Sequence, residues 1–160
     1  MKKLKIYLDT SIINFALADD VSREAVDVTR KLCEGIKQGK YDGFISEVVI
    51  REIMNTSSAT RRKQLLEYVN QLEFEEPLEV TDEITSLADK YISEKIIPEA
   101  HKDDALHVAI ATVNSMDILA SWNFEHLVKH KTRTGVFGIN ALLGYKNIDL
   151  CTPKEVVEDE

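Results

Sequence analysis

A short apolar run that stops at a helix-capping residue recurs along this chain with helical segments between, and that recurrence limits its fold most. Leu4-Lys5-Ile6-Tyr7-Leu8 is long enough for a strand, and Asp9-Thr10-Ser11 follow as caps for a helix to about Leu17. Gly43-Phe44-Ile45 runs into Ser46 in the same way and opens a helix to about Asn55. Asp117-Ile118-Leu119-Ala120 is a third run, with Asn123 just past it. Residues 22–38 have helical spacing and end at Gly39, 59–71 form a polar helix, and Thr81 caps a helix to about Ser93. After the break at Pro98, His101 to Ser115 read as a long helix rich in Ala, Val and Ile. A helix around 134–143 ends at Gly144, Asn147 to Leu150 give a last strand, and 72–80 hold a weak strand interrupted by Pro77. Strands alternating with helices predict an α/β fold, a mainly parallel sheet of about five short strands with helices on both faces. Such sheets place ligands at the carboxyl ends of strands, near the point where strand order reverses. Asp9 and Asn123 fall at such ends.

At 160 residues the chain suits one domain, read as 1–153, with 154–160 as an acidic C-terminal tail. Hydrophobic residues make up 44% and the net charge is −8, so bulk attraction of phosphate is excluded and any nucleic-acid contact is local or helped by a divalent ion. Cys33 and Cys151 lie far apart, which suits a reducing compartment and neither a disulfide framework nor a thiolate zinc site. The start, Met1-Lys2-Lys3-Leu4-Lys5, leads only into a short apolar run, so no signal peptide and no membrane span is expected, and the protein reads as cytoplasmic.

Helical phase picks out particular carboxylates. At about 100° per residue, Glu52 projects about 40° from Val48 and about 60° from Val49, inside the apolar sector, while Glu47 and Arg51 lie on the polar side. An inward carboxylate is expensive unless paired or bound to a cation, so Glu52 reads as a site residue or as half of a partly buried ion pair. By the same arithmetic Asp104 lies inward between Val108 and Ala111, whereas Asp103 shares a flank with His107 and Asn114 and reads as a charge favoured by the helix dipole. Asp9 reads as a helix cap or as a ligand. Asp9, Glu52 and Asp104 with the Asn123 amide make an oxygen-rich set without thiols, which suits Mg²⁺ or Mn²⁺ and disfavours zinc. Such ions activate water and stabilise a leaving oxygen in phosphodiester hydrolysis.

These residues carry a resemblance. Leu8-Asp9-Thr10-Ser11, Ser46 to Ile53, Asp103-Asp104-Ala105-Leu106-His107-Val108-Ala109 and Leu119 to Phe124, with the ending Ile139 to Tyr145, together resemble the PIN-domain family, a nuclease fold shared by many VapC-like bacterial toxins. The resemblance spans nearly the whole chain and implies a PIN-like three-layer α/β/α sandwich. It implies a metal-dependent endoribonuclease with Asp9, Glu52, Asp104 and Asn123 as catalytic residues, and Asp9, Glu52 and Asp104 as ligands of Mg²⁺ or Mn²⁺. The implied partners are single-stranded or structured RNA, a small antitoxin protein and a second copy of the chain in a homodimer. Asn123 departs from the usual aspartate, although a Trp-Asn-Phe-x-His version occurs in part of the family and Trp122 to His126 match it. The lost charge leaves a second reading open, a catalytically weakened PIN-like module that binds RNA or protein. A phosphotransfer enzyme with Asp9 as nucleophile is a third, and Ser11 stands where it would need a second aspartate.

Other side chains have paired readings. His126 assists at a phosphate or caps a turn. His107 reads as a satisfied histidine on a helix flank rather than a partner of Asp104, and His101 has no distinguishing neighbour. Arg61-Arg62-Lys63 and Lys129-His130-Lys131 with Arg133 are basic clusters, solvated faces or RNA grips. Trp122 and Phe124 pack or stack on bases.

Overall fold

In the computed structural model, which describes residues 2–158, four strands build one sheet: β1 (Lys5–Leu8), β2 (Asp42–Phe44), β3 (Ile118–Ala120) and β4 (Asp149–Cys151). Their order is β2-β1-β3-β4 and every pairing is parallel, with Tyr7 opposite Phe44 on one side and Leu119 on the other. Ile6, Tyr7 and Leu8 are fully buried, and successive strand residues point to opposite faces, so β1 is covered on both. This is the expected α/β sandwich. The chain leaves β1 for β2 at one edge and returns on the other side of β1 to make β3, so strand order reverses between β1 and β3.

Eight helices surround the sheet among the described residues: α1 (Thr10–Ala16), α2 (Arg23–Lys37), α3 (Glu47–Met54), α4 (Ala59–Gln71), α5 (Asp82–Ser93), α6 (Lys102–Val113), α7 (His130–Leu142) and α8 (Pro153–Glu158). The caps act as the sequence predicts. Asp9 accepts from the Ser11 amide, Ser46 from the Val48 and Val49 amides, and Thr81 from the Ile84 amide. Gly39 and Gly144 end α2 and α7 at φ of +81° and +82°, a conformation that a Cβ disfavours.

Three expectations change. Residues 72–80 contribute no strand: Leu78 makes a single parallel bridge with Ser46, its amide donating to the Ile45 carbonyl and its carbonyl accepting from the Glu47 amide. Pro77 beside it has no N–H to extend the ladder. The late helix starts at His130 rather than near 134. Residues 154–158, expected as an acidic tail, belong to α8, where Val156 and Val157 are buried and the helix packs on α2; Asp159 and Glu160 lie outside the described residues.

One buried polar knot joins three helices on the side of α6. Tyr91 of α5 donates to Asn140 Oδ1 of α7, and Asn140 Nδ2 donates to Thr112 Oγ1 of α6 at 3.1 Å. Asn140 is fully buried, so losing its amide leaves the Tyr91 and Thr112 hydroxyls with only their 3.2 Å bond to each other. Asn140→Ala is expected to destabilise the fold by about 1–3 kcal/mol, read as a lower urea midpoint with unchanged slope.

Candidate metal centre

The carboxyl ends of β1 and β3 gather polar side chains around Asp9, which is 3% exposed. Its Oδ1 accepts from the Ser11 amide at 3.1 Å and from the Ser11 hydroxyl, and its Oδ2 accepts from the Ser121 hydroxyl just after β3. Ser11 Oγ in turn accepts the Trp122 amide, and Ser121 Oγ the Asn123 amide, each at 2.9 Å. Asp9 is therefore both the cap of α1 and the tie between the two strand ends. A carboxylate with these bonds keeps about one lone pair, on Oδ2, for a cation.

Glu52 reaches the same region from α3. Its Oε1 accepts from the Thr10 hydroxyl at 2.8 Å and stands 2.6 Å from His107 Nε2, while His107 Nδ1 is 2.7 Å from the Tyr7 hydroxyl. Tyr7 bonds Ser46 Oγ at 2.7 Å, and that oxygen is the one that caps α3. A continuous chain of bonds thus runs from the α3 cap through β1 and α6 back to Glu52. His107 is 2% exposed, far from the helix flank expected for it. A periodicity argument sees only its own helix, and both hydrogen-bond partners of His107 come from other elements; the fully buried Tyr7, a phenol in a strand, was the signal that a polar partner was needed.

Asp104 sits in the first turn of α6, with Asn123 close enough to help hold its carboxyl down. Asn123 Oδ1 accepts the His126 amide at 2.9 Å, so its oxygen holds the turn. Asp103 instead forms a two-pronged pair with Arg51 at 3.0 and 3.3 Å, on the outside. A cleft of about 330 Å³ opens between Glu52 and the start of α6, lined also by Ala100, His101 and Lys102. Of the basic clusters, Arg61 donates to the Leu17 and Asn14 carbonyls at the end of α1 and Arg62 to the Thr56 carbonyl, so both guanidiniums are spent on the chain itself. Trp122 stacks on Phe15 with its indole N–H on Thr29, whereas Phe124 is exposed.

Burial raises the Asp9 and Asp104 carboxyls above their ordinary values even though nearby histidine charge and hydrogen bonds pull the other way. Burial also opposes ionisation of Glu52, but the His107 hydrogen bond and charge, the Thr10 hydroxyl and Arg51 outweigh it and hold that carboxyl low. His107 is raised: burial works against its charge, and the Glu52 bond with the charges of Asp9, Glu52 and Asp104 overcomes it. One imidazole thus feels all three carboxylates. Two of the three are costly to ionise where they are buried, a cost that a divalent cation bound to hard oxygen donors offsets.

The signs of these shifts give a testable contrast. A carboxyl raised in the folded state disfavours folding once it ionises, so Asp104→Asn is expected to raise the melting temperature at pH 7 by a few degrees, the response of such a domain to about 1 kcal/mol. That gain shrinks as pH is lowered toward the aspartate range. A carboxyl lowered in the folded state contributes stability above its unfolded value, so Glu52→Ala is expected to destabilise by about 1–3 kcal/mol at pH 7, with His107 Nε2 left without its bond.

Similarity to known proteins covers most of this architecture. The family model described as PIN domain matches residues 6–123, from β1 to Asn123. Among solved structures, VapBC2 from Rickettsia felis, crystallised bound to a DNA fragment from its promoter, aligns with a TM-score of 0.58 at 14% identity, over 93% of this chain and 98% of that one. VapBC-5 from Mycobacterium tuberculosis, a member of the VapBC family of toxin–antitoxin systems, aligns with a TM-score of 0.49 at 13% identity, over 92% and 98%. No curated protein matches the chain. No helix among the described residues is long and apolar enough to cross a membrane.

Proposed function

The chain belongs to the PIN-domain family, and on that premise we propose that it is a metal-dependent endoribonuclease that cleaves RNA phosphodiester bonds as the toxin of a type II toxin–antitoxin pair. The observation that carries the reading is the buried His107, whose charge is coupled to Asp9, Glu52 and Asp104 together at the switch point of the sheet. Those three carboxylates would hold Mg²⁺ or Mn²⁺. When bound, such an ion lowers the pKa of water and stabilises the leaving oxygen.

The remaining work falls to the chain's own side chains. Ser11 and Ser121 hold both oxygens of Asp9, while Thr10 and His107 fix one oxygen of Glu52, so neither carboxylate has to be ordered when substrate arrives. Asn123, next to Asp104 and holding the turn through the His126 amide, takes a positioning role in place of the usual aspartate's charge. Lys102 on the cleft wall meets a phosphate, and the exposed Phe124 offers a face for a base. An antitoxin partner and a homodimer accompany the reading by family.

Purified protein is expected to cut single-stranded RNA with Mg²⁺ or Mn²⁺ and to stop when a chelator is added. Asp9→Asn and Asp104→Asn should each lower the single-turnover rate by about 100-fold or more at unchanged circular dichroism. Cleavage surviving in both variants would sink the assignment. Metal and RNA binding without any cleavage in the wild type would instead favour the weakened binding module that Asn123 raises.

A further inference from the structure

Asp104 has a second set of neighbours, which the oxygen-only reading of the sequence left out. His101 ends a short 3-10 turn (Glu99–His101) just before α6, and His126 lies in the loop after β3. The two imidazole centroids are 3.8 Å apart with planes 30° from parallel, and His101 Nδ1 is 3.9 Å from Asp104 Oδ2. One donor atom from each of His101, Asp104 and His126 lies within 4.8 Å of the other two.

Ordinary packing does not account for this arrangement. His126 Nδ1 is buried and has no hydrogen-bond partner among the described residues, although a buried ring nitrogen nearly always has one. The loop that carries it is held firmly: the His126 amide donates to Asn123 Oδ1 and the His126 carbonyl accepts from Thr132 Oγ1, both at 2.9 Å. Imidazole nitrogens are the commonest protein ligands of first-row metals. Carboxylates alone select Mg²⁺, whereas two imidazoles with one carboxylate suit cations further along the first transition row.

We propose that His101, Asp104 and His126 bind a borderline first-row divalent cation, such as Co²⁺ or Zn²⁺, in preference to Mg²⁺. Two protein ligands come from opposite ends of one short turn of chain and the third from the loop after β3, so the bound cation ties the start of α6 to that loop. The inference concerns binding and stands whether or not the protein cleaves RNA.

The experiment uses untagged, chelator-treated full-length protein. Zn²⁺ titration by calorimetry should show one site, and Co²⁺ should produce visible absorption bands that Mg²⁺ does not displace at tenfold excess. His101 is 45% exposed, so H101A is expected to fold normally and to weaken Zn²⁺ binding by roughly tenfold or more; H126A and the double variant should weaken it further. Asp9→Asn keeps all three ligands and should retain Zn²⁺ affinity within about twofold, which separates this site from the oxygen cluster. Wild-type affinity in the H101A/H126A double variant would overturn the proposal. So would a wild-type protein whose Zn²⁺ dissociation constant is no tighter than about 1 mM.

Discussion

Carboxylates crowded at one end of a parallel sheet are the constraint that the rest of this structure answers to. Parallel pairing brings the carboxyl ends of β1 and β3 to the same edge, and the helices that follow them and the one that approaches from α6 present their amino ends there. That geometry favours acidic side chains by dipole and capping, and then buries them beside one another. The structure offsets the cost of that burial with the charge of His107 and with the hydroxyls of Thr10, Ser11 and Ser121. Hydroxyls and amides orient a carboxylate without cancelling its charge, so the capacity to attract a cation survives folding.

Much of this was legible in the sequence because it is local. The strand-then-cap pattern foretold β1, β2 and β3 with the helices after the first two, and the two helix-ending glycines marked the ends of α2 and α7. Phase along α3 and α6 separated Glu52 from Glu47 and Asp104 from Asp103, and Arg51 does hold Asp103 on the outside. What escaped was non-local. His107 meets Tyr7 and Glu52 across separations of 100 and 55 residues, and His101 meets His126 across α6, β3 and the loop that follows. The weak fifth strand expected at 72–80 did not form, and the one bridge at Leu78 is what a segment interrupted by Pro77 could still make.

The charge of the chain misleads in a similar way. A net charge of −8 suggests a surface indifferent to polyanions, and the arginines of the α4 start look free until their carbonyl partners are seen. With Arg61 and Arg62 serving as caps for neighbouring segments, and Arg51 paired to Asp103, the positive charge nearest the acids is carried by histidines.

The loop after β3 deserves a last consideration through Trp122, the single tryptophan of the chain. Its amide rests on the same Ser11 hydroxyl that holds Asp9, its ring lies on Phe15 of α1, and its indole nitrogen reaches Thr29 of α2. The near-ultraviolet emission of the protein therefore has one dominant source, placed one residue from Asn123 and bonded into the polar lattice it would report on. The molecule carries its own optical probe of that loop.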